Sequence, residues 1–380
     1  MTVPPTTHDA QLDYYGRRLA TASSDRTIRL FDVEGDDNYR LVDTLQGHDG
    51  PIHALAWAHP SFGSILASCS FDGKVFIWKE DDGPQKGWAK VKEHLLHTAS
   101  GVSSGRIAVN AIAWAPHELG PILACASSDG KVSVLTFNND GTWEASLFPA
   151  HALGVTSISW APGVGIGALT TPQGGAGPDG QEVLTQVRRF ATGGESVLPL
   201  FSAPVKVREK EMAQSLTGNC CCSDQTKEWA PDPVEHVLQG HSDWVRDVAW
   251  APSVGVGKAY LASAGQDKTV YIWTQTDSQS PWTRTALEPS SSTTSAPSQP
   301  GQQPPASGGE GKFGDVVWRV SWSVAGNVLA VSSGAFGLSL FSCDMKRTLR
   351  SWVTIAGDGK VSLWKESIKG VFEEVSELTS

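Results

Sequence analysis

The chain has 380 residues, 18% of them charged and 40% hydrophobic, with a formal balance of −10. That composition excludes an intrinsically disordered chain and a broad phosphate-binding surface, so nucleic acid is not expected as a direct ligand. No stretch approaches eighteen consecutive apolar residues and Met1–Ala10 lacks an apolar core, so neither a membrane-spanning helix nor a signal peptide is expected.

In chain order the residues form a repeat. A first strand begins at about Thr7, and the first unit ends in Asp25-Arg-Thr-Ile-Arg-Leu-Phe31. A polar strand, Leu41 to His48, leads to a Gly-His pair and into the second unit: Ile52 to Trp57, Ile65 to Ser70, then Asp72-Gly-Lys-Val-Phe-Ile-Trp78. The third repeats this as Val109 to Trp114, Ile122 to Ser127 and Asp129 to Leu135; the fourth opens with Val155 to Trp160. Val234 to His241 leads into the fifth, Val245 to Trp250, Tyr260 to Gly265 and Asp267 to Trp273; the sixth holds Val317 to Trp322 and Asp358 to Trp364, with a tail from Gly370. Period-two alternation predicts strands, and tight Asp-Gly or Asp-Lys turns join them antiparallel. The spacing predicts an all-β chain whose six four-stranded units pack side by side as the blades of one propeller over residues 1–380.

The residues that recur are the turn aspartates Asp25, Asp72, Asp129, Asp267 and Asp358, the histidines His48 and His241, and the strand-ending Trp57, Trp78, Trp114, Trp160, Trp250, Trp273, Trp322 and Trp364. A catalytic site is needed once, so recurrence assigns these residues to structure. Gly101-Val-Ser-Ser-Gly105 lacks the strand-to-helix turn of a nucleophile elbow, and Gly175 to Gly180 lacks a helix to hold a pyrophosphate. Cys220 to Cys222 cannot converge on one metal from an extended chain, and the six cysteines, with no CxxC spacing, suit a reducing compartment. No cofactor, metal or enzymatic activity is expected.

Six units leave no strand to interlock the first blade with the last. The ring therefore has open edges, which invite another chain; they are placed at Leu12, Tyr14 and Tyr15 on one side and Val361 and Leu363 on the other.

His8 to Gly16, Ala20 to Ile28, Gly240-His-Ser-Asp-Trp-Val-Arg-Asp-Val-Ala-Trp250 and Asn327 to Val331 resemble the family of small WD-repeat subunits of the COPII outer coat, the Sec-thirteen family. The resemblance implies an open six-bladed propeller completed by a seventh blade from a large α-solenoid partner, either the outer-coat subunit or a scaffold nucleoporin. It also implies a cytoplasmic protein, peripheral on the endoplasmic reticulum through the coat and present at the nuclear pore, with a further place in a vacuolar TOR-regulating complex. The blade His, Asp, Ser and Trp are then implied to form a hydrogen-bond network inside each blade. Alternatives are the sister propeller of the pore and TOR-regulating complex, and a self-closed substrate-recognition propeller of a ubiquitin ligase.

The chain departs from the pattern in four places. Gly163 to Gly180 and Ser290 to Gly311 read as disordered loops. Ala335 to Gly357 lengthens the last unit, where Trp322 and Asp358 stand 36 residues apart against 15 for Trp57 and Asp72; it reads as a retained intron or gene-model error. Glu195 to Cys222 reads as a second aberrant insertion that replaces the third strand of the fourth unit, because Pro199 lacks a ladder donor.

Overall fold

Alternation of small or β-branched residues with polar ones resolves into strands in every unit. The computed structural model describes residues 6–34, 38–81, 87–96, 107–163, 174–176, 182–208, 229–232, 235–252, 257–277, 280–289, 312–334, 360–367 and 370–379. Blade one is β1 (Thr7–Leu12), β2 (Arg18–Ser23), β3 (Thr27–Val33) and β4 (Tyr39–Gln46); blade two is β5 (Ile52–Trp57), β6 (Ile65–Ser70), β7 (Lys74–Asp81) and β8 (Gly87–Leu95). Blade three is β9 (Val109–Trp114), β10 (Ile122–Ser127), β11 (Lys131–Phe137) and β12 (Trp143–Pro149). Blade four is β13 (Ser157–Trp160), β14 (Gly174–Ala176), β15 (Glu182–Gly193), β16 (Val197–Arg208), β17 (Ala230–Pro231) and β18 (Val237–Gln239). Blade five is β19 (Val245–Trp250), β20 (Ala259–Gly265), β21 (Val270–Gln275) and β22 (Thr283–Ala286); blade six is β23 (Val317–Trp322), β24 (Val328–Ser333), β25 (Lys360–Glu366) and β26 (Phe372–Thr379). The helical segments among the described residues are two 3-10 turns, Pro60–Phe62 and His117–Leu119, and no described helix is long and apolar enough to cross a membrane.

Five sheets run in chain order, from β1-β2-β3-β4 in blade one to β23-β24-β25-β26 in blade six, while blade four runs β13-β15-β16-β17 with β14 paired to β15 and β18 to β16. The turn between the second and third strands needs one left-handed residue. Gly73 and Gly130 fill it at φ 81° and 84°, while Arg26 at 70° and Lys268 at 67° take the same conformation against a Cβ penalty.

The first strands pack in succession, β1 on β5, β5 on β9, β9 on β13, β13 on β19 and β19 on β23. Among the described residues five hydrophobic cores lie between neighbouring blades. Ala20, Ala22, Ile28 and Leu30 of blade one meet Leu55, Phe76 and Trp78 of blade two; Ala262, Ala264, Val270 and Ile272 of blade five meet Val320, Leu329 and Trp364 of blade six. The strand-ending tryptophans of the first strands staple these contacts. Trp57 donates its indole N–H to the Gln11 carbonyl at 3.0 Å, Trp114 to Ala56 at 3.0 Å, Trp160 to Ala113 at 3.0 Å and Trp322 to Ala249 at 2.9 Å. Each bond runs back to the preceding blade, so these four residues act between blades rather than within one.

Blade four corrects the expectation that Glu195 to Cys222 replaces its third strand. Val197–Arg208 is that strand: Leu200 pairs with Ala191 and Phe201 with Phe190, and β17 and β18 cover the other edge. Pro199 is tolerated because the ladder with β15 ends at Leu200, and the Pro199 carbonyl accepts the Thr192 hydroxyl at 3.3 Å. Phe201 takes the place that Trp78 and Trp273 hold in other blades, and Trp229 stacks on Phe148, meets Trp160 edge-on and packs tilted against Phe190. Residues 209–222 lie outside the described residues, as do 335–357 and 290–311. Within 163–180, Gly174–Ala176 is a short strand on β15 rather than an irregular loop, and 164–173 and 177–180 are not described.

Trp114→Phe keeps the ring and removes the staple to Ala56. Its urea midpoint should fall by the equivalent of about 1 kcal/mol with an unchanged slope, measured by far-ultraviolet dichroism.

Candidate functional site: the seam between the first and last blades

The recurring polar residues turn inward. In blade two, His48 places Nδ1 2.9 Å from Asp72 and Nε2 2.9 Å from the Ser68 hydroxyl, which also accepts the Trp78 indole N–H at 2.9 Å. Blade five repeats it with His241, Asp267, Ser263 and Trp273. A carboxylate can only accept, so Nδ1 carries a proton and donates it to the aspartate. Both imidazoles are fully buried. Burial pushes the Asp267 carboxyl up, but hydrogen bonds and charge from His241, joined by Thr269, outweigh it and hold the group below its usual 3.8; Asp72 is lowered in the same way.

The complete network is confined to these two blades among the described residues. Asp25 accepts from Thr27 and Arg29, and Asp129 from Ser127 and Lys131. In blade four His151 reaches Thr192 at 3.1 Å, and burial lowers its pKa to about 4. Trp364 bonds Ser362 at 2.8 Å, and Asp358 lies outside the described residues. Trp250 is buried against Trp282, with its backbone N–H on the Ser159 hydroxyl. These groups are consumed by the fold. No cluster of three or more metal-ligating side chains occurs among the described residues.

What the ring leaves unfinished is a pair of sheet faces. Opposite the buried leucine of each second strand, the third strand carries Trp78, Leu135, Trp273 or Trp364. Each is buried in the core shared with the preceding blade. Phe31 holds this place in blade one, opposite Leu19. It has no preceding blade, is only half-buried, and faces Leu41, which is 52% exposed. On blade six, Ala330, Val361 and Leu363 hold the places of Ala262, Val270 and Ile272 in blade five, yet belong to none of the five cores. No packing like that of β19 on β23 joins β23 to β1 among the described residues.

This corrects the assignment of Val361 and Leu363 to an open edge: β25 is bonded to β24 on one side and β26 on the other, and both side chains are buried. The opening is a face rather than an edge. Leu12 ends β1 and is partly exposed, and Tyr14 and Tyr15 project from the following turn, 64% and 59% exposed. Leu12 pairs with Leu19 as Trp57 pairs with Leu66 and Trp322 with Leu329. Blade one, which no other blade precedes among the described residues, therefore lacks the stapling indole.

One polar layer crosses the seam. Asp9, Asp247 and Arg319 sit at the same ladder position, opposite Ala22, Ala264 and Ser332. Asp9 accepts the Leu55 N–H of the next first strand at 2.8 Å and Asp247 that of Val320 at 3.0 Å. Arg319 reaches across the gap, its Nη2 3.8 Å from Asp9 Oδ1. Burial pushes the Asp247 carboxyl up to about 6. Sequence reading missed this layer, although each residue stands three before the end of its strand, at Leu12, Trp250 and Trp322.

Comparison with known proteins places this geometry in context. The family model described as WD domain, G-beta repeat matches residues 8–32, 39–79 and 233–274. A protein of Mycosarcoma maydis named Protein transport protein SEC13 is 46% identical over 405 aligned residues, covering 98% of this chain and 92% of its own. Relatives of the same name in Cryptococcus neoformans and Emericella nidulans are 45% and 43% identical over 98% of this chain and 94% of theirs. A chain of the solved structure described as Crystal Structure of Mitotic Checkpoint Complex superposes with a TM-score of 0.53 over 88% of this chain and 73% of that one, at 14% identity, a likeness of fold alone.

The downward shift of Asp267 contributes stability that is present above pH 3.8 and lost as the pH falls through the lower folded-state value. Asp267→Asn should cost about 1–2 kcal/mol at pH 7 and flatten the acid limb of a denaturation series run from pH 7 to pH 2.

Proposed function

Because this chain belongs to the SEC13 family of protein transport proteins, as relatives 46% and 45% identical over 98% of it establish, we propose that it is a non-enzymatic scaffold whose seam receives a blade from a larger partner. Its role is in protein transport. More finely, it is a subunit of the COPII outer cage, peripheral on the cytosolic face of the endoplasmic reticulum, and of the nuclear pore scaffold. The partner is a large α-solenoid subunit in each assembly. The observation that carries the reading is the imbalance of five inter-blade cores for six blades, with the half-buried Phe31 on the face that lacks a neighbour.

A blade has two apolar faces, and covering one end face of the array with another chain buries aromatic and aliphatic surface of the kind that anchors obligate interfaces. Mechanism here means geometry: a donated blade fixes the angle between propeller and solenoid, and the propeller's stiffness passes to the cage.

The test is titration of the full chain with the purified outer-coat α-solenoid subunit. A 1:1 complex should form, and Phe31→Asp, which sets an unpaired charge on the uncovered face, should weaken it at least tenfold, whereas Leu153→Asp on an exposed turn should not. Absence of a complex, or equal affinity for all three chains, refutes the seam as the docking site.

A further inference from the structure

The layer formed by Asp9, Asp247 and Arg319 changes polarity at the seam. Two of the five preceding first strands carry a carboxylate at this place that receives an N–H from the next, Asp9 from Leu55 at 2.8 Å and Asp247 from Val320 at 3.0 Å, while Ala54, Ala111 and Ser157 stand there in the other three. The last first strand carries Arg319 at that place. A guanidinium has five donors and no acceptor, so it cannot receive an N–H from whatever follows blade six. The Arg319 side chain is 42% exposed, in contrast to the 3% of Asp9, and its contact with Asp9 at 3.8 Å is longer than a hydrogen bond. His53 nearby, pushed down to about 4 by burial, carries no charge at neutral pH. Arg319 is thus the cation that faces the gap, loosely held by Asp9 from the far side.

We propose that Arg319 is the specificity-determining residue of the seam, and that the strand a partner inserts between β23 and β1 carries a carboxylate at this layer, which takes the guanidinium over from Asp9. The inference rests on the blade-donation reading and adds to it the chemistry of the incoming strand. In the free chain the Asp9–Arg319 pair spans the gap and holds the first and sixth blades together at their inner strands. On insertion the incoming carboxylate meets an arginine whose side chain is 42% exposed, and a charge-assisted pair forms where water is being excluded. Asp9 is then a competitor as well as a structural residue, since it holds the cation the partner needs.

Two substitutions of opposite sign test this, with the outer-coat α-solenoid subunit as the probe. Arg319→Met keeps the aliphatic stem and removes the charge; it should weaken the complex about tenfold or more and lessen its salt dependence. Asp9→Asn keeps an oxygen to accept the Leu55 N–H but removes the competing charge; it should tighten the complex by about threefold. Damage to the fold would weaken both, so a tightening by Asp9→Asn cannot arise from a merely structural role. Should Arg319→Met fail to fold, the salt series on the unmodified chain still decides: affinity that falls between low and physiological salt supports the pair, and a flat series overturns it. Binding by the unmodified chain that neither substitution alters overturns the role of Arg319 and leaves blade donation standing, whereas no binding by the unmodified chain overturns blade donation itself.

Discussion

A four-stranded sheet with two apolar faces cannot stand alone in water, and every other feature of this chain follows from that constraint. Ala262 and Ile272 on one side of blade five, and Leu261 and Trp273 on the other, are all buried to within 3%. Each fully buried large side chain is worth about 1.5–3 kcal/mol relative to exposure, which a single sheet in isolation would forfeit on both faces. Neighbouring blades supply the missing surface. The faces of blades one and six that share no inter-blade core among the described residues are what this repeating solution leaves over.

Two hydrogen-bond systems divide the work within this arrangement. The His48 and His241 networks tie the entry of a blade to its second strand, its turn and its third strand, with both imidazoles fully buried, so each acts within one sheet. The Trp57, Trp114, Trp160 and Trp322 indoles tie one sheet to the previous one. The first system preserves the shape of a blade, and the second sets the angle between blades. Loss of the His network in blade four, where Glu195 stands in the turn and Phe201 replaces the third-strand tryptophan, is offset by aromatic packing of Phe148, Phe190 and Trp229 around Phe201.

The blades and their strand order were legible in the sequence because each depends on local periodicity repeated several times. The third strand of blade four was not. Pro199 argues against a strand by the rule of the missing donor, and only the register, with the ladder ending at Leu200, shows why the rule does not apply. The seam was half legible. That the ring is open follows from counting strands, but counting suggests edges, and only the packing distinguishes an edge such as that of β25, which is satisfied, from a face such as that of Phe31, which is not. The Asp9, Asp247 and Arg319 layer is written at a constant three-residue offset, yet with three members of two charge signs it does not stand out as a repeat.

The backward direction of the indole bonds gives the array a sense, as in a filament with unlike ends. Trp57 bonds Gln11, Trp114 bonds Ala56 and Trp322 bonds Ala249, each one blade back. The first strand of blade one ends in Leu12 and offers no indole, while the Ser321 carbonyl of blade six holds the place of Ala249 and meets no indole among the described residues. A newcomer in the gap can therefore be grasped on one flank by its own donor and on the other only by apolar contact. The joint between the newcomer and blade one would lack an indole bond, and mechanical load would open the ring there before it opened a stapled joint.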